Sequence, residues 1–217
     1  MSRPHRVEFP GAVYHLTSRG NARGRIFVRD GDRETFLKVL ADTVVRYRWI
    51  CHAYCLMDTH YHLLVETRLP NLSLGMRQLN GLYTSRFNKL NRRTGHVFQG
   101  RYKAVLVEKE AHLLELGRYV ALNPVQAGMV GRPESWQWGS YAATIGRSAR
   151  PPFLTIGWLL EQFGRDRARA IRAYRRFVLE GIGIKESPFE DVKGQIYLGS
   201  NEFARRWGGG TGENPRE

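Results

Sequence analysis

Residues 53–66 read AYCLMDTHYHLLVE. Apolar side chains crowd both halves, and only Asp58 and Thr59 interrupt them. That pattern predicts two strands, about Trp49 to Met57 and Tyr61 to Glu66, joined by a tight hairpin. Residues i and i+2 of a strand share a face. His60 and His62 are therefore expected side by side, at a spacing that suits one metal ion, with Tyr61 turned the other way into packing. An H-x-H pair also arises on surfaces that hold no metal, so the residues alone leave both readings open.

Working outward, AVYHLTS (12–18) reads as a strand that enters a glycine-rich turn, RGNARGR (19–25). From Asp32 to Tyr47, Phe36, Leu37, Leu40, Val44 and Val45 recur at helical spacing. Beyond the hairpin, Leu72, Met76, Leu79, Leu82, Tyr83 and Phe87 mark a second helix, with Asn71 or Ser73 as its cap. Tyr102 to Val107 reads as a fourth strand. Lys109 to Leu122 follows as a helix expected to stop at Asn123-Pro124. This order predicts an α+β fold, a ferredoxin-like antiparallel sheet with packed helices. After Val130 prolines and tryptophans break the pattern; helices are then expected at about 156–163, 167–179 and 200–207. The organisation expected is a main domain at 1–145, a mainly helical C-terminal extension at 146–207, and a disordered tail, GGGTGENPRE, at 208–217.

The 217 residues carry 34 Lys and Arg against 20 Asp and Glu, a net charge of +14. Such an excess favours a polyanionic partner, nucleic acid before an anionic membrane surface. No acidic residue lies between Thr67 and Val107, where Arg68, Arg77, Arg86, Lys89, Arg92, Arg93, Arg101 and Lys103 all fall. A second basic cluster, RDRARAIRAYRR, spans 165–176. No stretch approaches the roughly 18 apolar residues of a membrane span, and the N-terminal stretch lacks a signal-peptide core. With Cys51 and Cys55 the only cysteines, a disulfide scaffold is excluded and a cytoplasmic setting is expected.

Glu115, Tyr119 and Asn123 form a polar stripe on the 109–122 helix, while Leu113, Leu116 and Val120 face a sheet. Asn123 could lend a carbonyl oxygen to an ion held by His60 and His62, with Tyr119 one turn away as a nucleophile. Equally, Tyr119 reads as a boundary residue and Asn123 as a helix stop. The first combination suits a phosphodiester, because a neutral phenol is a weak nucleophile and needs the developing charge neutralised. A mixed N/O donor set accepts Mg2+ or Mn2+. A structural zinc site of Cys51, Cys55, His60 and His62 is disfavoured: equal strand parity leaves the cysteines roughly 13 Å apart. An RNA-reading module of this shape would display aromatics where the histidines stand.

Five blocks in order extend these readings: GAVYHLTSRGNARGRIF (11–27), AYCLMDTHYHLLVE (53–66), TGHVFQGRYKAVLVE (94–108), RYVALNPVQAGMV (118–130) and WQWGSY (136–141). The sequence resembles the single-tyrosine HUH transposases of the IS200/IS605 type, and most of all their REP-associated relatives. The resemblance implies an HUH endonuclease fold, with His60-Tyr61-His62 as the HUH triplet, Tyr119 as nucleophile and Asn123 as third metal ligand. It implies a metal-dependent single-stranded DNA endonuclease and strand transferase. That enzyme would act at hairpin repeats through a 5′-phosphotyrosine intermediate, in the cytoplasm at the nucleoid. The alternative within the fold is a non-cleaving hairpin-binding protein. Arg77, Arg86, Lys89, Arg93, Arg101 and Lys103 are the expected phosphate partners of the stem, and Arg19, Asn21, Arg23 and Arg25 those of unpaired bases. No small-molecule substrate or membrane partner is expected, and a monomer rather than a homodimer. Met57-Asp58-Thr59 departs from the family pattern before the triplet; Asp58 is expected to cap the turn or to set a charge near the ion. His15 is expected to pack beside the site.

Overall fold

The computed structural model describes residues 7–208 apart from 185, 191 and 195. Its core is the expected α+β unit: β1 (Ala12–Arg19), α1 (Asp30–Tyr47), β2 (Trp49–Leu56), β3 (His60–Thr67), α2 (Leu72–Leu90), β4 (Lys103–Val107) and α3 (Lys109–Gln126). The chain continues through α4 (Tyr141–Thr144), α5 (Gly157–Glu161), α6 (Arg167–Glu180), β5 (Tyr197–Leu198) and α7 (Asn201–Gly208). The strand order is β2-β3-β1-β4-β5. The first four strands pair antiparallel, in ferredoxin-like order, and β5 joins β4 in parallel. Two residues are too short a run to show a period of two, which is why the fifth strand left no trace in the sequence pattern. The stretch expected as a helical extension thus carries α5, α6 and α7 together with a strand of the central sheet; all but the first residue of the tail, 209–217, lies outside the described residues.

Each face of the sheet builds its own core. Tyr14, Leu16, Tyr61 and Leu63 pack with Phe36 and Leu40 of α1 and Met76, Tyr83 and Phe87 of α2. On the other face Val13, Leu64, Val105 and Val107 meet Leu113, Leu116 and Val120 of α3, together with Leu159 of α5. α2 lies close because Gly75 faces the Trp49 ring; a Cβ there would overlap it. Tyr61 is buried as expected, and its hydroxyl donates to Asn80 Oδ1 at 2.7 Å.

Three local readings are corrected. α3 does not stop at Leu122 but runs through Pro124 to Gln126. A proline removes one donor and crowds the carbonyl four residues back, and this one sits so near the end that the helix loses little by including it. Asn71 stands at the N-cap of α2, but its side chain is drawn away, accepting from Trp49 Nε1 and donating to the Tyr47 carbonyl, both at 2.9 Å. Glu8 takes over, its carboxylate accepting from Ser73 N at 3.0 Å. The cysteines do not share a face either. A β-bulge between Cys51 and Ala53 resets the parity of β2, so Cys51 lies in the α1/α2 core and Cys55 in the α3 core. The zinc reading falls with that parity, since the sheet itself stands between the two thiols.

Candidate active site

The parity of β1 and β3 determines what meets α3. His15, Thr17 and Arg19 alternate along β1, beside His60 and His62 of β3, because Thr17 pairs with His62 and Arg19 with His60. With Lys103 and Val105 of β4, Tyr119 of α3, and Phe189, these residues line a cavity of about 360 Å3. The His60 and His62 rings lie 4.9 Å apart, and the His62 ring lies 5.5 Å from that of Tyr119. Leu113, Leu116 and Val120, buried against the sheet, hold α3 at the rotation that turns Tyr119 toward the histidines.

Burial keeps these imidazoles neutral. It holds His62 well below the ordinary histidine range, with His15, His60 and Arg19 adding to the effect. His60 is pushed down to about 4 by burial and Arg19, and His15 to about 3 by burial and Lys103. Nε2 of His15 and Nδ1 of His62 share a hydrogen bond of 2.9 Å, while His62 Nε2 is buried without a partner. With the shared proton on His62 Nδ1, Nε2 keeps its lone pair, which is the arrangement a ligating histidine requires. The Tyr119 phenol is raised by burial, an effect opposed by Asn123 and Arg19, so it rests protonated.

Two neutral imidazoles fit a divalent cation. Among the described residues no three His, Cys, Asp or Glu side chains converge to hold one by themselves, so a further donor of another kind is needed. Asn123 is buried one turn beyond Tyr119, but its Nδ2 donates to the Tyr119 carbonyl at 2.9 Å and it does not line the cavity. The site therefore brings together His60 and His62 of β3 and Tyr119 of α3, while Asn123, one turn further along α3, stays outside the cavity lining.

Of the expected DNA contacts, Arg19 and Lys103 line this cavity. Asn21 and Arg101 line a neighbouring groove of about 550 Å3 with Asn80, Thr84, His96 and Gln99. Arg77, Arg86, Lys89 and Arg93 are exposed on α2 and just past it, with no carboxylate partner among the described residues. The glycine-rich loop is anchored at both ends: Gly20 N donates to the Thr59 carbonyl at 2.8 Å and Ile26 N to that of Asp58 at 2.9 Å. Within it Ala22 and Arg23 hold left-handed backbone, at φ 49° and 59°, a conformation that costs side-chain-bearing residues roughly 1–2 kcal/mol each. Asp58 neither caps the hairpin nor lines the cavity; its carboxylate holds Arg33 of α1 and, at 3.4 Å, Arg25 of the loop.

His15, expected beside the site, lines the cavity in an alternating row with Thr17 and Arg19. Phe189 went unassigned in the sequence: its ring lies 4.7 Å from His15 and 5.1 Å from Tyr119, and no local pattern ties residue 189 to a cavity built by residues 15–119.

Residues 9–123 match the family model described as transposase, IS200 like. The fold is similar to that of a REP-associated tyrosine transposase solved bound to a REP hairpin, at a TM-score of 0.59 and 15% identity over 71% of this chain and 92% of that one. A candidate transposase of Deinococcus radiodurans R1 gives a TM-score of 0.39 at 17% identity, over 53% of this chain and 94% of that one. The tRNA(His) guanylyltransferase of Saccharomyces cerevisiae gives 0.42 at 10% identity, over 86% and 85%. At such scores neither of the last two bears on the argument. No curated protein matches in sequence.

Proposed function

The chain belongs to the IS200-like transposase family, and from that premise we propose that it is a metal-dependent single-stranded DNA endonuclease and strand transferase acting at hairpin repeats, with Tyr119 as nucleophile. The observation that carries this reading is the shared cavity of Tyr119, His60 and His62, flanked by Arg19 and Lys103. The Tyr119 oxygen attacks a backbone phosphorus. The P–O3′ bond breaks, the phenolic proton is given up, and the departing 3′-oxygen gains a proton. The 5′-phosphate is left on Tyr119. That ester conserves the bond energy for rejoining, so no nucleotide cofactor is needed. His60 and His62, with Asn123 as further donor, would hold Mg2+ or Mn2+, which when bound would supply charge neutralisation to the phosphate. Arg19 and Lys103 steer the backbone into the cavity. The hairpin stem is assigned to the exposed face of α2 and to Arg101, and unpaired bases to the loop from Arg19 to Arg25. On this reading the protein works as a monomer on chromosomal DNA in the cytoplasm.

The alternative, a hairpin-binding protein that does not cleave, draws on Phe189, whose ring stands against the proposed nucleophile. A denaturing gel separates the two. Single-stranded hairpins drawn from DNA flanking the gene, with Mn2+ or Mg2+, should give a covalent adduct with the wild type that is lost in Tyr119→Phe and with EDTA. Tight binding without adduct would move the conclusion to the alternative, and an adduct surviving in Tyr119→Phe would remove Tyr119 from its role.

A further inference from the structure

The basic cluster at 165–176 plays no part in the catalytic cavity, and α6 shows how it is arranged. Within the helix the exposed Arg169, Arg172 and Arg176 are spaced i, i+3 and i+7, which aligns them as one stripe roughly 10 Å long, and the exposed Arg165 stands just before the helix cap. The opposite line of the helix, Ala170, Tyr174 and Val178, is buried. Among the described residues Arg165, Arg169 and Arg172 have no carboxylate partner, and Arg176 has only the exposed Glu180, at 3.7 Å. The other acid here, Asp166, is occupied in capping the helix through Arg169 N at 2.7 Å.

A second cluster fixes this stripe to the body of the protein. Glu134 is shared by Arg147 at 3.2 Å, Arg175 of α6 at 3.5 Å and Arg132 at 3.8 Å. Three guanidinium groups around one carboxylate leave the cluster net positive, so it widens the patch that it anchors. The helix lies away from the cavity. Arg118 stacks on Phe177 of α6 at 4.5 Å, and Gly117 faces Tyr174, while Tyr119, two residues on from Gly117, points to nearly the opposite side of α3.

We propose that the arginine stripe of α6 is a second, sequence-independent DNA-binding surface that takes the sugar–phosphate backbone outside the reacting segment. Four exposed, unpartnered or weakly partnered cations, three along one helix face and one just before it, match a polymer with one charge per roughly 1.7 Å of duplex. A membrane-surface helix would need a free apolar face to insert, and the apolar face of α6 is already buried against α3 and α5.

The test is the salt dependence of binding by the full-length chain, read by fluorescence anisotropy on an arbitrary-sequence duplex and on oligo(dT). The wild type is compared with a variant carrying Arg165→Gln, Arg169→Gln, Arg172→Gln and Arg176→Gln. At about 0.9 per phosphate contact on duplex and about 0.7 on single strand, the slope of log Kd against log salt should become shallower by about 3.6 or about 2.8, and the arm that changes identifies the form of DNA bound. A four-lysine variant should keep the slope, which separates lost charge from lost folding. Unchanged slopes on both DNAs would overturn the proposal. So would anionic phosphatidylserine vesicles bound by the wild type and released by the glutamine variant while DNA binding stayed the same. Tyr119→Phe should leave these slopes intact, so failure of the adduct assay and failure of this surface are read separately.

Discussion

At the scale of single residues, the two histidines of the H-x-H are unequal. His60 is half-buried, whereas His62 is buried and held through Nδ1 by His15. His15 is thus a positioning residue for His62. The outer partner of a ligating histidine commonly contributes 10- to 100-fold to metal affinity or activity. His15→Ala should therefore raise the Mn2+ concentration needed for half-maximal adduct by about that factor, while hairpin binding without metal stays unchanged. Adduct formation at the wild-type Mn2+ requirement would show that the contact does not position His62. The strand parity that aligns His60 with His62 was legible in the sequence, because it is a property of one strand. The His15–His62 bond was not, since it depends on the register of β1 against β3, 47 residues away.

Elements show where local pattern loses to packing. His52 occupies the bulge of β2 and meets Glu66 at 3.2 Å, while Lys109 of α3 reaches the same carboxylate at 2.7 Å. These partners outweigh burial and hold Glu66 down to about 2. A carboxyl depressed on folding stabilises the protein above its unfolded pKa, and that contribution is lost as pH falls through the folded one. Thermal unfolding should thus show a loss of stability between about pH 4.5 and 2 that is smaller in Glu66→Gln; parallel pH profiles would contradict the assignment. Gly75→Ala should destabilise by about 1–3 kcal/mol in denaturant titrations, because the added methyl meets the Trp49 ring rather than space. A change below about 0.5 kcal/mol would mean that α2 can retreat. Helical periodicity located α1, α2 and α3, but a bulge or a tolerated terminal proline leaves the periodicity unchanged, so the face of Cys51 and the end of α3 had to come from the structure.

Across the whole molecule, the first four strands and their order were readable because each strand is long enough to alternate and the helices between them keep a clear helical period. The closing strand was not. β5 returns from the far end of the chain, where Leu106 N donates to the Ile196 carbonyl and Glu108 N to that of Leu198, at 2.7 and 2.8 Å, and its neighbour Phe189 comes to lie against Tyr119. This return has a consequence for synthesis. The ribosome finishes β4 about 90 residues before it makes β5, an interval of roughly 5–18 s at elongation rates of about 5–20 residues per second. Throughout it the outer edge of β4 stands open with unpaired donors, the condition in which strands pair with the wrong neighbour. Nascent chains stalled after residue 150 should accordingly bind holdase chaperones and be cut by protease near β4, whereas chains released at full length are protected; equal protection in both would mean that the sheet needs no closing strand. The half of the sequence that holds His60, His62 and Tyr119 is therefore translated long before it is sealed, so the cavity proposed to act on DNA is completed only when its last strand arrives.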